Sequence, residues 1–375
     1  MGLVVAGILL AAQFLRLDRD GLGGGPSAPF IVGTSWRLDE ELAARGDRVV
    51  VTDGNGYDGQ WFLGLAYDPL LRGHLADGFD MPRYRARRPL LAMAGWLLAA
   101  GRPAAVPVAL LATGLLAVGA GCAATARLLG GAGHSRWWGL GFAVVPWVIV
   151  GDMFGTAEPL GLALAVVGLS LTLDRRLVPA ALAFAAAGLT KETYLGFAAA
   201  AAIWLLLRPE TGLRERLRAA ASVLVPGSLL LAAWWWYAGL MVPPSPGDDA
   251  GLGAVGAPLV GWGHTVAQIA SGAYVPDAPV GPIGPALMVA SLALLVAVVV
   301  VTLPALRAPR RLTLLDWTGL EMGIYGLLID GGLLGRFLSA SRALAPCVLG
   351  AGLAVVAALA LSRPGRVRHD VVRGA

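Results

Sequence analysis

Charge is what this sequence has least of. Only 14% of its residues are Asp, Glu, Lys or Arg, whereas a soluble globule spends about 25% on covering its surface. With 57% hydrophobic residues and a mean hydropathy of +0.70, the shortage excludes an ordinary water-soluble enzyme. Lysine is almost missing, Lys191 being the only one among 29 basic residues. Cysteine is nearly absent too. Cys122 and Cys347 both lie inside apolar stretches, which excludes a disulfide framework or a zinc spacing and leaves the redox compartment unmarked. His74, His134, His264 and His369 have no mutual metal spacing. No glycine motif of the nucleotide-binding kind is present, which argues against a soluble nucleotide donor. The formal charge of +5 invites a nucleic-acid partner. The arginines, however, are dispersed between apolar runs, the pattern of a membrane protein's inner loops, and nucleic acid is excluded.

What is there is apolar length. Runs long enough for a bilayer occupy 103–128, 136–151, 157–173, 219–240, 284–306, 316–334 and 343–361. The run 316–334 carries Asp316, Glu321 and Asp330 and is the least regular of them. The stretch 177–207 is apolar except for Lys191 and Glu192 at its middle. As one helix it would be roughly 45 Å long against a core of about 30 Å, so it reads as two short helices meeting there. Leu3–Leu15 is a short first span or a signal-like segment, and the polar loop after it favours a span. The fold class is therefore an all-α polytopic membrane protein of about ten transmembrane helices. No repeat of 20–50 residues interrupts this reading.

Orientation follows from arginine placement. Fifteen basic residues fall in one set of connections and in the tail, and three (Lys191, Arg336 and Arg342) in the alternate set. The fifteen belong in the cytoplasm, with both termini, in a multi-pass protein of the plasma or inner membrane. The outer side then receives Asp152–Glu158, Lys191–Glu192, the 241–283 loop and Arg336–Arg342. The run 89–101 is too short to cross and reads as a re-entrant or interfacial helix. Within the single membrane domain 1–375, residues 18–88 form a long first extracytoplasmic loop, 89–361 the helical bundle and 362–375 a cytoplasmic tail.

The chemistry concentrates at Thr52–Phe62, TDGNGYDGQWF. Asp53 and Asp58 sit in a glycine-rich turn, and Trp61, Phe62, Leu65, Ala66 and Leu70 then recur at helical spacing. That spacing predicts an amphipathic helix lying on the membrane face. One reading makes Asp58 a helix N-cap and Asp53 a solvated turn residue. The other notes Tyr57, Trp61 and Phe62 around the acid, a surrounding suited to an amphipathic substrate.

YDGQWFLGLAYDP at 57–69, with FDMPRYRARRPLLAMAGWLL at 79–98, resembles the first outer loop of bacterial GT-C superfamily glycosyltransferases, in particular a group linked to cell-surface glycopolymer formation. More distantly it is similar to the mannosyltransferases of glycosylphosphatidylinositol assembly. TAEPLGLAL, LTKET and SRALAP fall where such proteins place outer-face motifs. The resemblance covers most of the chain in order, and the first loop is its distinctive part. It departs from the family in the weak first span, which points to a longer natural start.

The resemblance implies transfer of a sugar from a polyprenyl-phosphate donor to a cell-envelope glycan or lipid acceptor on the outer face, with inversion. Phosphate is already a good leaving group, so such a reaction needs a carboxylate to take the acceptor proton and cations to hold the phosphate. Asp58 resembles the family's base, with Asp53 an alternative or helper. A divalent metal bridging the two is compatible with the pair but not specified by it, and no cofactor is firmly implied. Tyr57, Gln60, Arg85, Arg88, Glu158, Lys191, Glu192, Arg336 and Arg342 are the expected substrate contacts. Each has a plainer role beside it: Lys191–Glu192 as an ion pair between half-helices, Glu158 as helix capping, and the outer arginines as contacts to membrane lipids. Arg83, Arg85, Arg87 and Arg88 together read as a solvated or headgroup-facing run, and Trp234, Trp235 and Trp236 as an aromatic belt. A transporter or flippase for a lipid-linked glycan, and a non-catalytic assembly protein, are the alternatives. A flippase should spread polar groups through the mid-membrane, whereas here they gather in one loop and at helix ends, Glu321 excepted.

Overall fold

A computed structural model describes residues 2–19, 25–44, 49–73, 75–131, 133–208, 211–245, 257–274, 283–309, 312–329, 334 and 337–361. Among the described residues the chain is mostly helical, with one two-stranded parallel pair, β1 (Val32–Gly33) and β2 (Val51–Thr52). The helices are α1 (Gly2–Arg19), α2 (Leu38–Ala44), α3 (Gly59–Tyr67), α4 (Pro82–Ala86), α5 (Leu90–Leu98), α6 (Val106–Gly131), α7 (Pro146–Met153) and α8 (Glu158–Leu173). They continue with α9 (Leu177–Thr190), α10 (Leu195–Leu206), α11 (Leu213–Met241), α12 (Val260–Ala270), α13 (Ile283–Thr302), α14 (Leu314–Leu327) and α15 (Phe337–Leu361).

Among the described residues three helices are long and apolar enough to cross a bilayer: Pro103–Gly131, Leu213–Met241 and Gly284–Thr302. The 29 residues of the first two give about 44 Å each and the 19 of the third about 28 Å, against a hydrocarbon core near 30 Å. Their outer surfaces are apolar: Leu229, Trp236 and Leu240 on α11 and Val300 and Val301 on α13 are exposed. Such faces suit lipid and not water.

The bundle is built on close approach of small residues. A Cβ on Gly161 of α8 would stand 2.0 Å from the Tyr194 ring, and one on Gly168 would stand 2.5 Å from Phe184 of α9. Alanine and glycine thus let α8, α9 and the 191–194 turn pack with their backbones near one another, the usual basis of helix association where hydrophobic exclusion is weak. Lys191 and Glu192 do separate two short helices, α9 and α10, as the sequence predicts. Arg175, just before α9, lies over the ring of Trp204 near the end of α10, so the two helices run back on one another. Arg127 at the end of α6 pairs with Asp174 after α8. Arg216 on α11 donates to the Leu206 carbonyl. These contacts gather arginines at one end of the bundle, opposite the 191–194 turn.

Three expectations change. The run 136–151 is not one helix: 136–142 forms 3-10 turns and α7 begins only at Pro146, because two glycines and a proline interrupt it. Within the run 316–334, α14 ends at Leu327, and Asp316 closes a capping box with Thr313 at its start. This places the acid at a helix end, where it satisfies free backbone N–H groups. The third concerns α3, expected on a membrane face. Gly59 through Ala66 are all buried. Trp61, Phe62, Leu63 and Leu65 share a second core with Phe30, Leu38, Leu75 and Phe79, which caps one end of the bundle. The helix is apolar almost all round, so protein encloses it.

α5 spans nine residues and rests on the first half of α6, where Gly95 makes room for Leu110. Leu91 and Ala92 of α5 and Val106, Ala109 and Leu110 of α6 belong to the cap core.

Candidate functional site

The loop before α3 is held by strand pairing and by glycines that no other residue could replace cheaply. Gly54 and Gly56 have φ of +94° and +64°, and a Cβ on Gly56 would approach the Ile31 carbonyl oxygen to 2.4 Å. Tyr57 donates its N–H to Ile31 O, and Ser35 N–H donates to Gly54 O. Gln60 closes the loop from inside. Its Oε1 accepts from Gly33 N–H at 3.0 Å, and its Nε2 donates to Asn55 O at 2.8 Å. Gln60, expected as a substrate contact, is only 1% exposed and spends both ends of its amide on the fold.

This scaffold fixes Asp58. It occupies the N-cap position of α3 but makes no side-chain cap hydrogen bond. Its carboxylate instead accepts from Arg85 Nη1 at 3.1 Å. Arg85, on α4, also grips Asp80 with two parallel bonds, Nε to Oδ1 at 2.8 Å and Nη2 to Oδ2 at 2.9 Å. Its guanidinium lies over Trp61 and Tyr84. The Asp58 side chain remains 22% exposed, so the carboxylate is both held and reachable.

One helical turn on, Arg88 is buried and forks onto Glu192, Nε to Oε2 at 3.2 Å and Nη2 to Oε1 at 2.8 Å, while Nη2 also donates to Tyr84 OH at 2.9 Å. Burial opposes the charge on Arg88, but Glu192 and Tyr84 outweigh it and raise its pKa further. Burial likewise works against the Glu192 carboxylate; Arg88 overrides that and draws it down to about 2. The Arg88 charge also pulls the Tyr84 phenol below its ordinary value. Lys191 Nζ stands 3.8 Å from Glu158 Oε1, both side chains being buried. The lysine is thus matched with the start of α8, and its sequence neighbour Glu192 with Arg88 just past α4. The expected Lys191–Glu192 pair is replaced because the 3-10 turn at 192–194 turns successive side chains to different partners.

The structure therefore brings Asp58, Arg85, Arg88, Glu158, Lys191 and Glu192 to one end of the bundle, as three cations with the carboxylates Asp58, Asp80, Glu158 and Glu192. Tyr57 is at the rim, its ring against Phe154 at 4.9 Å. Asp53 is exposed in the loop. Among the described residues no group of three His, Cys, Asp or Glu side chains could hold a metal ion. Arg336 and the side chain of Arg342, which α15 carries, lie outside the described residues. His74, His369 and Asp330 lie outside them too.

The arginine run is not a solvated face. Arg83 bonds the Gly239 and Val242 carbonyls at the end of α11, and Arg87 stacks on Trp235. Trp234 is more than a belt residue, since its Nε1 donates to Ala86 O at 2.8 Å and ties α11 to α4. Sequence reading missed Asp80, Tyr84 and Asp152. In FDMPRYR, Asp80 precedes a proline-started helix that carries Tyr84, and Arg88 follows four residues after Tyr84. Asp152 lies in the last turn of α7, is 5% exposed, and its Oδ2 has no hydrogen-bond partner among the described residues. Gly114 of α6 leaves it room, since a Cβ there would lie 3.1 Å from its Oδ1.

No family model matches the chain, and neither the curated proteins nor the solved structures contain a match.

Proposed function

We propose that this chain is an integral membrane glycosyltransferase of the GT-C type, taking a sugar from a polyprenyl-phosphate donor at the outer face. One observation carries the reading: Asp58 presents a partly open carboxylate, fixed by Arg85, at the bundle end that also holds Arg88 and Lys191. In this reading α1, the 136–153 segment, α6, α8, α9, α10, α11, α13, α14 and α15 are the ten spans. The arginine-rich end is cytoplasmic and the Asp58 end extracytoplasmic.

The chemistry assigned to these residues is a single displacement. Asp58 takes the proton of the acceptor hydroxyl, whose oxygen bonds to the anomeric carbon from the face opposite the phosphate. The bond from that carbon to the phosphate oxygen breaks, and polyprenyl phosphate leaves with the electron pair. Arg85 orients Asp58. Arg88 and Lys191 supply the cations that hold the leaving phosphate, and the sequence assigns Arg336 and Arg342 to the same task.

The test is to incubate the purified chain in nanodiscs with a panel of polyprenyl-phosphate sugars and an extract of envelope acceptors. Release of polyprenyl phosphate together with a new glycoside supports the proposal. Movement of an intact lipid-linked sugar across sealed vesicles, with no bond cleaved, would assign the site to a transporter.

A further inference from the structure

The opposite end of the bundle carries a second feature, independent of the Asp58 site. Between the start of α9, the end of α10 and the first turns of α11 lies a cavity of about 520 Å³. Among the described residues, Arg175, Arg216 and Arg218 line it, with Glu215 as the one acid and Leu177 and Leu205 among its apolar walls. Three arginines and one glutamate leave the cavity positive. Arg216 reaches its backbone partner through Nη1, while its Nε is buried without a hydrogen-bond partner among the described residues. Arg175 has φ of +61°, a left-handed conformation after α8 that glycine would adopt at less cost. Strain kept at a charged residue beside a cavity points to use.

We propose that this cavity binds the headgroup phosphate of an anionic phospholipid of the surrounding bilayer. The arginines would take the phosphate oxygens, and an acyl chain would run along the apolar wall made by Leu177 and Leu205. Basic pockets between helix ends suit anionic headgroups, because paired guanidinium donors match phosphate oxygens in a partly dry setting. The adjoining Trp204, which Arg175 and Arg208 both overlie, is an aromatic of the kind found at headgroup depth.

The experiment is a thermal melt of the full chain in neutral detergent, titrated separately with phosphatidylglycerol, phosphatidylcholine and glycerol 3-phosphate. Phosphatidylglycerol should raise Tm saturably, and the other two at matched concentration should not. Arg218→Gln alone, and Arg216→Gln with Arg218→Gln, should each require about tenfold or more phosphatidylglycerol for the same shift. Arg214→Gln, an exposed neighbour outside the cavity, should respond like the wild type. Reading Arg218→Gln beside the double variant covers any loss of folding from the Arg216–Leu206 bond. Equal shifts with phosphatidylcholine, a full shift with glycerol 3-phosphate, or an unaltered response in both variants would overturn the proposal.

Discussion

Gln60 is a polar residue in an apolar helix, and it stays there because the loop needs it. Its amide joins Gly33 of β1 to Asn55 of the loop, so the turn carrying Asp58 cannot shift without breaking one buried and one partly buried bond. Gln60→Leu keeps the volume but strands the Gly33 N–H. It should cost roughly 1–3 kcal/mol, the usual penalty for an unsatisfied buried donor, read as a lower Tm. A variant as stable as the wild type would mean the loop is held elsewhere. Asp58 itself was legible as a functional candidate from its neighbours Tyr57 and Trp61. Its partner was not, because Arg85 lies 27 residues away and only the fold of the cap brings the two together. The capping role read from local sequence gives way for the same reason, a guanidinium being the stronger partner for an ionised carboxylate than a backbone N–H.

At the scale of elements, the turn between α9 and α10 was the most readable feature, since two adjacent charges in an apolar stretch of 31 residues (177–207) leave few alternatives. What sequence could not assign was which charge meets which element. Arg88–Glu192 straps the segment just after α4 to this turn, and its pH dependence has a definite sign. The folded Glu192 pKa, about 2, lies below its ordinary value of 4.5. The strap's contribution is therefore complete above about 4.5 and is lost as pH falls toward 2. Glu192→Gln should melt lower than wild type at neutral pH, with the gap closing as melts are taken from pH 5 downward. A constant gap across that range would show that the carboxylate charge is not what holds the strap. The misread elements, 136–151 and α3, share one cause. Hydropathy reports that a segment avoids water without saying whether lipid or protein covers it, or whether glycine and proline have divided it.

For the whole molecule, apolar helices of spanning length follow directly from composition, and the two charged ends follow from arginine spacing. The proposed orientation makes a plain prediction. A membrane-impermeant maleimide should label Pro244→Cys in intact cells, and should label Gly212→Cys only after permeabilisation; the native cysteines are buried and stay silent. Reversed labelling would move Asp58 to the cytoplasmic face and remove the argument for a polyprenyl-linked donor. The most direct test of the central claim, however, is made on the reaction itself. Asp58→Asn retains the shape and much of the hydrogen bonding to Arg85 but cannot accept a proton, and the side chain is partly exposed, so folding should survive with little change in Tm. With a polyprenyl-phosphate sugar that the wild type consumes, transfer by Asp58→Asn should fall by about a hundredfold or more, the range of a general base. Transfer at the wild-type rate by a well-folded Asp58→Asn protein would contradict the account.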